Sequence, residues 1–217
     1  MGLSLKREGY QTFNEWLSWD EGVRAELVDG EAVMMALPSQ KHQEIIMELS
    51  RQLANFLKGK PFKVYPAPFR VRLSKKEHTV FEPDIVLICD KSRLGGKIFN
   101  GAPDMVVEVL SPTSARHDRL TKYQKYQHAG VREYWIVDPD IKTVHVCLLE
   151  NGRYIMEAYG DTDIVPVSVL EGCEITLADV FDYGPAPALR NAKTADLAAN
   201  PVNNPIGIDQ RRSHAKK

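Results

Sequence analysis

The stretch Asp104-Met-Val-Val-Glu-Val-Leu-Ser-Pro112 decides the fold. Met105 to Leu110 is apolar apart from Glu108, the pattern of a central strand covered on both faces, and Ser111-Pro112 stops it. A carboxylate is out of place in such a run, because an unpaired buried charge costs roughly several kcal/mol even after relaxation. A structural role would favour another Val at that position. Side chains alternate along a strand, so Asp104, Val106, Glu108 and Leu110 share a face. A second apolar run, Asp84 to Cys89, opens on a carboxylate just after Glu82-Pro83. Two carboxylates on neighbouring strands would form an oxygen-rich pocket suited to Mg²⁺ or Mn²⁺, and such a cation can activate water and offset charge in phosphodiester cleavage. The alternative is structural: Asp84 caps a strand end and Glu108 pairs with a buried Arg.

Outward from these strands the chain alternates between helical and extended patterns. Thr12 to Trp19 reads as a short helix, with Thr12 and Glu15 spaced as a capping box. Ala25 to Val28 and Ala32 to Met35 form a hairpin through Asp29-Gly30. Ser39 caps a long helix to Leu57, whose apolar positions Ile45, Ile46, Leu49, Leu53, Phe56 and Leu57 keep a helical period. Phe62 to Tyr65 and Phe69 to Leu73 read as strands, and Ser92 to Gly101, with three glycines, as a loop. Ser114 to Ala129 reads as a helix closed by Gly130. Glu133 to Val137, Val144 to Leu149 and Arg153 to Tyr159 form a β-meander, the last two joined through Asn151-Gly152. The fold class is therefore α/β: a mixed central sheet flanked by the Ser39 helix and the Ser114 helix, with extra hairpins. The three tryptophans read as core or interface, His78 and His145 as loop and strand surface.

In domain terms, 1–9 is an N-terminal extension, 10–183 the folded domain, and 184–217 a Pro-, Ala- and Asn-rich tail ending in RRSHAKK that is expected to be disordered. No apolar run among the 217 residues is long enough to span a bilayer. Cys89, Cys147 and Cys173 are odd in number and widely spaced, which suits free thiols in a reducing cytoplasm. The net charge of −1 gives no overall pull toward nucleic acid, although Lys41 to Lys76 carries nine basic residues against Glu44 and Glu48. That run fits a solvated helix face and a charged hairpin.

In order along the chain, Glu26-Leu-Val-Asp-Gly, Pro38-Ser-Gln-Lys-His42, Glu82-Pro-Asp84, Val107-Glu-Val-Leu-Ser-Pro112, Asp118 to Lys122 and Gly130-Val-Arg-Glu-Tyr-Trp-Ile-Val-Asp-Pro139 resemble the Uma-two endonuclease family, a branch of the PD-(D/E)XK restriction-endonuclease superfamily. The resemblance covers about Tyr10 to Phe181. It implies a metal-dependent nuclease with Asp84 and Glu108 as Mg²⁺ or Mn²⁺ ligands and a nucleic acid, DNA first, as substrate. Two-fold dimers are the commonest assembly, so a homodimer is expected, with the Tyr134-Trp135 strand and the later hairpins as its surface. The superfamily places a lysine two residues after the glutamate, where this chain has Leu110. In this branch Lys122 takes over, sharing a helix face with Asp118 and Tyr126, and its removal is expected to spare the fold. The alternative is an exposed Asp118–Lys122 ion pair. Glu26 matches the family's first acidic position and could serve a second metal. His42 points inward, as a supporting site residue or a core histidine. Two other functions remain open at this point: a nuclease-fold binding module that does not cleave, and a structural dimer protein.

Overall fold

Short local signals set the chain's turns in the computed structural model, which describes residues 9–19, 22–75, 78–94, 96 and 98–182. The expectations for the N-terminal extension and for the tail lie outside these residues, Gly9 apart. Thr12 caps α1 (Phe13–Leu17) and completes the capping box with Glu15. Asp29 and Gly30 both take positive φ between β1 (Ala25–Val28) and β2 (Glu31–Met34), as do Asn151 and Gly152 in the second hairpin. Two successive left-handed residues twist a two-residue loop to match its strands, which is why Asp-Gly and Asn-Gly mark these places. Ser39 Oγ accepts from His42 N at 3.2 Å and starts α2 (Gln40–Leu57). This helix buries Ile45, Ile46, Leu49, Leu53 and Leu57, each contributing roughly 1.5–3 kcal/mol of transfer free energy.

Six strands form the central sheet, in the order β10-β9-β8-β7-β5-β3. They are β3 (Lys63–Pro66), β5 (Ile85–Ile88), β7 (Met105–Val109), β8 (Glu133–Asp138), β9 (Thr143–Glu150) and β10 (Arg153–Tyr159). Only β7 and β8 run parallel, and a parallel pair needs a crossover, here the helical segment 115–129. All five residues of β7 are buried, Glu108 included, as are all four of β5. The run around Glu108 is thus a central strand covered on both faces.

Several elements differ from the sequence expectation. The glycine-bearing loop contains β6 (Ile98–Asn100), which pairs in parallel with β4 (Arg70–Arg72) outside the main sheet. Three-residue strands show no periodicity to read. A further hairpin, β11 (Ile164–Pro166) with β12 (Glu174–Thr176), leads into α4 (Leu177–Val180). Gln52 of α2 fixes this extension, donating to Thr176 O at 3.1 Å and accepting from Thr176 N at 2.9 Å. The buried Glu133 ties it to the sheet, accepting from Val169 N at 2.9 Å and Trp135 Nε1 at 2.7 Å. Tyr134 and Trp135 are fully buried within one chain, so they offer no surface to a second copy. Cys147 and Cys173 are buried and Cys89 half-buried, all as free thiols. No helix among the described residues is long and apolar enough to cross a membrane.

Candidate active site

The register of the sheet brings the two strand carboxylates together. Ile85 lies opposite Val107, and one further antiparallel step sets Asp84 opposite Glu108. Asp84 Oδ2 accepts from Val109 N at 2.8 Å and lies 3.3 Å from His42 Nε2. His42 therefore turns to the site rather than to a purely apolar core. Burial alone would lower its pKa, but the Asp84 carboxylate outweighs that and raises it.

Glu108 meets the crossover helix. Its Oε1 accepts from Lys122 Nζ at 2.9 Å and from Tyr126 OH at 2.8 Å. Lys122 also reaches Glu26 Oε1 at 2.9 Å and Asp118 Oδ1 at 3.4 Å. One ammonium thus sits among three carboxylates, over the Phe81 ring at 5.5 Å from its centroid. Lys122 is 4% exposed and Asp118 1%, so the pair is not the exposed surface contact that helix spacing allows. Removing Lys122 would leave buried charges facing one another, so the fold would not be spared.

Charge compensation is uneven across the cluster. Burial would raise the Glu26 carboxyl, but Lys122, His117 and the Glu82 N–H outweigh it and bring it down to about 2. Glu108 is pushed well above the usual carboxylate range by burial, helped by the Asp118, Asp84 and Glu26 carboxylates and only partly offset by Lys122. Burial works against the Lys122 ammonium, yet its three carboxylate neighbours hold the proton firmly. Asp118 is raised, chiefly by burial.

The crossover helix is not α throughout. His117–Lys122 is a π segment leading into α3 (Tyr123–Ala129), and the Tyr123 N–H bonds Asp118 O, five residues back. In an α-helix, residues five apart point about 140° from each other; the wider π turn brings His117 round to the side of Lys122. His117 Nε2 accordingly lies 3.4 Å from Glu26 Oε2. Tyr134 OH of β8 donates to the Asp118 carbonyl at 3.1 Å and braces the turn. Such π insertions cluster at functional sites. His117 has no signal in the α-helical template, which places it on another face.

These groups line one pocket of about 960 Å³, within the upper range for a small-molecule or nucleotide-sized site. Its charged lining comprises six acids (Glu26, Glu82, Asp84, Glu108, Asp118, Asp140) and three bases, Arg24, Lys41 and Lys122. The three bases are each paired: Arg24 with Glu82, Lys41 with Asp140, Lys122 as above. One oxygen of each strand carboxylate is committed to the protein, whereas Asp84 Oδ1 and Glu108 Oε2 accept no hydrogen bond among the described residues. Among those residues there is no cluster of three or more His, Cys, Asp or Glu set to hold a metal ion. Every residue singled out from the sequence, Glu26, His42, Asp84, Glu108 and Lys122, lines this pocket, and so does His117, which was not.

Comparison with known proteins agrees with this architecture. A crystal structure described as a putative nuclease belonging to DUF820, from Anabaena variabilis, superposes with a TM-score of 0.68 at 23% identity, covering 78% of this chain and 97% of its own. At that identity the likeness speaks for the fold. An uncharacterized protein of Synechocystis sp. is 30% identical over 116 residues, 52% of this chain and 60% of the relative, so the matched part falls short of two thirds of its length. A second Synechocystis protein, also uncharacterized, is 24% identical over 132 residues, 58% of this chain and 74% of the relative. Residues 10–178 match the Uma2 family, described as "Putative restriction endonuclease". With residues 10–178 matched, most of its length, the chain belongs to the Uma2 family.

Proposed function

We propose that this chain is a divalent-metal-dependent nuclease that cleaves nucleic-acid phosphodiester bonds, DNA first, with Mg²⁺ or Mn²⁺ held by Asp84 and Glu108. The observation that carries this reading is the opposed pair of carboxylates, each with one uncommitted oxygen, in a pocket whose acids outnumber its bases. Mg²⁺ is commonly held by one or two carboxylates together with water and substrate phosphate oxygens, not by an all-protein cage. A two-carboxylate site therefore suits it. The bound cation would supply Lewis acidity, activating water and offsetting charge on the phosphodiester.

The chain's own groups have separate tasks. Val109 N–H and His42 hold Asp84, while Tyr126 OH and Lys122 hold Glu108, so both carboxylates would hold an ion without first having to be ordered. Lys122 stays cationic and lies where Glu26 and Glu108 converge. It can turn toward a phosphate or an attacking water by giving up Asp118, the longest of its three contacts. Glu26, through Lys122 and His117, positions rather than reacts.

The reading is tested by thermal unfolding with and without Mg²⁺, Mn²⁺ and Ca²⁺, alongside incubation with single- and double-stranded DNA and RNA. A ligand present at 100 times its Kd adds about 2.7 kcal/mol, a rise of roughly 5–10 °C for a chain of this size. Asp84→Asn should abolish that rise and any cleavage. An unshifted wild type that yields no product overturns the proposal. One observation favours a second reading, a binding module that does not cleave: Lys122 Nζ already has three carboxylates, Glu26, Glu108 and Asp118, within 3.4 Å. That reading predicts retention of nucleic acid without products.

A further inference from the structure

Val71 is fully buried, so alternation along β4 turns its neighbours Arg70 and Arg72 to the opposite face, toward α1. Arg70 Cζ lies 5.0 Å from the centroid of the Trp16 ring, and Arg72 Cζ 3.8 Å from that of Phe13. Both arginines are half-buried, unlike the solvated hairpin that the run of basic residues suggests. Arg24, immediately before β1, joins them through Glu82. This carboxylate is 8% exposed and lies 3.1 Å from Arg24 Nη2 and 3.6 Å from Arg70 Nε. Arg24 and Glu82 also line the acidic pocket, which places the row of arginines at its rim.

Charge along this row is out of balance. Three guanidiniums share one carboxylate, and no other carboxylate among the described residues pairs with any of them. Two positive charges are left over. Glu82 takes one nitrogen of Arg24 and one of Arg70, while Arg72 Nη2 donates to the Lys75 carbonyl at 2.9 Å. A guanidinium carries five N–H donors, so several remain on each. The Arg24 and Arg70 side chains are 37% and 30% exposed, enough to present those donors to solvent. Packing on Trp16 and Phe13 uses the stems and planes of Arg70 and Arg72, and does not call for an unbalanced charge. A guanidinium already anchored at one nitrogen loses little freedom when the rest of its fork meets a phosphate. Residues 70 and 72 are about 6.6 Å apart along the strand, comparable with the step between successive phosphates of one nucleic-acid strand.

We infer that Arg24, Arg70 and Arg72 form a phosphate track that holds the sugar–phosphate backbone of a nucleic acid beside the acidic pocket. The inference rests on the reading of that pocket as a nucleic-acid site and supplies what the pocket lacks. Its acids outnumber its bases six to three, so attraction for a polyanion has to come from its rim and the surface next to it. Phosphate contacts position a strand without reading its bases, so the track is indifferent to sequence.

The salt dependence of binding tests the track without metal or cleavage. Fluorescence anisotropy of a labelled DNA oligonucleotide, single- and double-stranded, is followed in EDTA between about 50 and 200 mM salt. Each phosphate contact contributes about 0.9 to the slope of log K against log salt on a duplex, and about 0.7 on a single strand. Arg70→Gln and Arg72→Gln should each flatten the slope by about that amount and weaken binding roughly tenfold, equally for different sequences. Arg24→Gln, which removes neither ring contact, carries the same expectation. Arg72→Lys keeps the charge and should keep the slope. Arg153→Gln, at an exposed position on the edge strand β10, should change neither slope nor affinity, and thermal unfolding checks that each variant is folded. Gln variants with the wild-type slope, an equal loss in Arg153→Gln, or a wild type that binds neither form of DNA overturns the inference. A chain that binds through these arginines, yet is neither stabilised by metal nor yields product, keeps the track and loses the nuclease reading. Cleavage by a chain whose Gln variants bind like wild type does the reverse.

Discussion

Replacing Lys122 by Met keeps the length and apolar stem of the side chain and removes only the ammonium. Three carboxylate oxygens lie within 3.4 Å of that nitrogen, from Glu26, Glu108 and Asp118. The residue is 4% exposed, so water does not take over its role. Breaking a buried ion pair by removing one partner costs about 3–5 kcal/mol, because the other charge is left uncompensated. The contacts share one donor group and do not add, so that range describes the whole cluster. At about 2–4 °C per kcal/mol for a chain of this size, the melting temperature should fall by roughly 6–20 °C.

The loss should also depend on pH, with a definite sign. Without the ammonium, Glu26 loses the cation that holds it down and rises, and Glu108 and Asp118, already raised in wild type, rise further. Raised carboxyls leave the variant most stable below the unfolded value and cost it stability as pH rises through the folded value. Wild type behaves oppositely at Glu26, whose carboxyl is held at about 2. Urea unfolding from about pH 8 down to about pH 5 should therefore show the gap between wild type and Lys122→Met narrowing on acidification. Lys125→Met serves as control, since Lys125 pairs with the exposed Asp29 and such pairs contribute about 0–1 kcal/mol. A loss below about 1 kcal/mol at the alkaline end, or a gap independent of pH, would refute the buried-hub reasoning.

Glu26→Gln should flatten the acid limb of wild-type stability. The carboxyl's fall from 4.5 to about 2 corresponds to about 3 kcal/mol, present above pH 4.5 and lost as pH drops toward 2; acid unfolding curves that run parallel would remove that contribution. Exchanging two side chains, in Lys122→Leu/Leu110→Lys, should recover about half or more of the stability lost in Lys122→Leu alone. Residue 110 shares the Glu108 face and lines the same pocket, so urea midpoints of the single and double variants decide it, with additive losses as the adverse result.

Most of the fold could be read because its signals are local. Asp29-Gly30, Asn151-Gly152, the Thr12–Glu15 box and Ser39 each act within four residues, and the apolar run around Glu108 carries its own burial. What escaped depends on distant partners. Phe69 to Leu73 reads as a strand around β4, but β6 exists because Ile98 finds Arg70 and Asn100 finds Arg72, a pairing that a three-residue strand does not announce. His117 escaped for another reason: the π turn changes which residues share a face, and a 3.6-residue period cannot express it. Lys122 shares the face that spacing assigns to it with Asp118 and Tyr126, but its burial does not follow from spacing, since a helical period is silent on what lies above a helix. That burial comes from Glu26, nearly a hundred residues earlier in the chain.

An ammonium carried on a helix and not on the strand changes what the cluster depends on. A lysine two residues after Glu108 would be set by β7 alone, through the alternation of one strand. Here that position is Leu110, 7% exposed and packed in the core with Tyr126 and Val131. The helix-borne Lys122 instead requires β1 for Glu26, the crossover helix for Asp118 and Tyr126, and β8 for the Tyr134 hydroxyl that braces the π turn. Each extra element adds a way for sequence change to disturb the site. It also adds a way to hold it, because an ammonium anchored from three sides keeps Glu26 and Glu108 at a fixed separation. The arrangement thus lacks the independence of a strand motif but gives a pre-organised acidic cleft, in which the protein itself fixes the carboxylates.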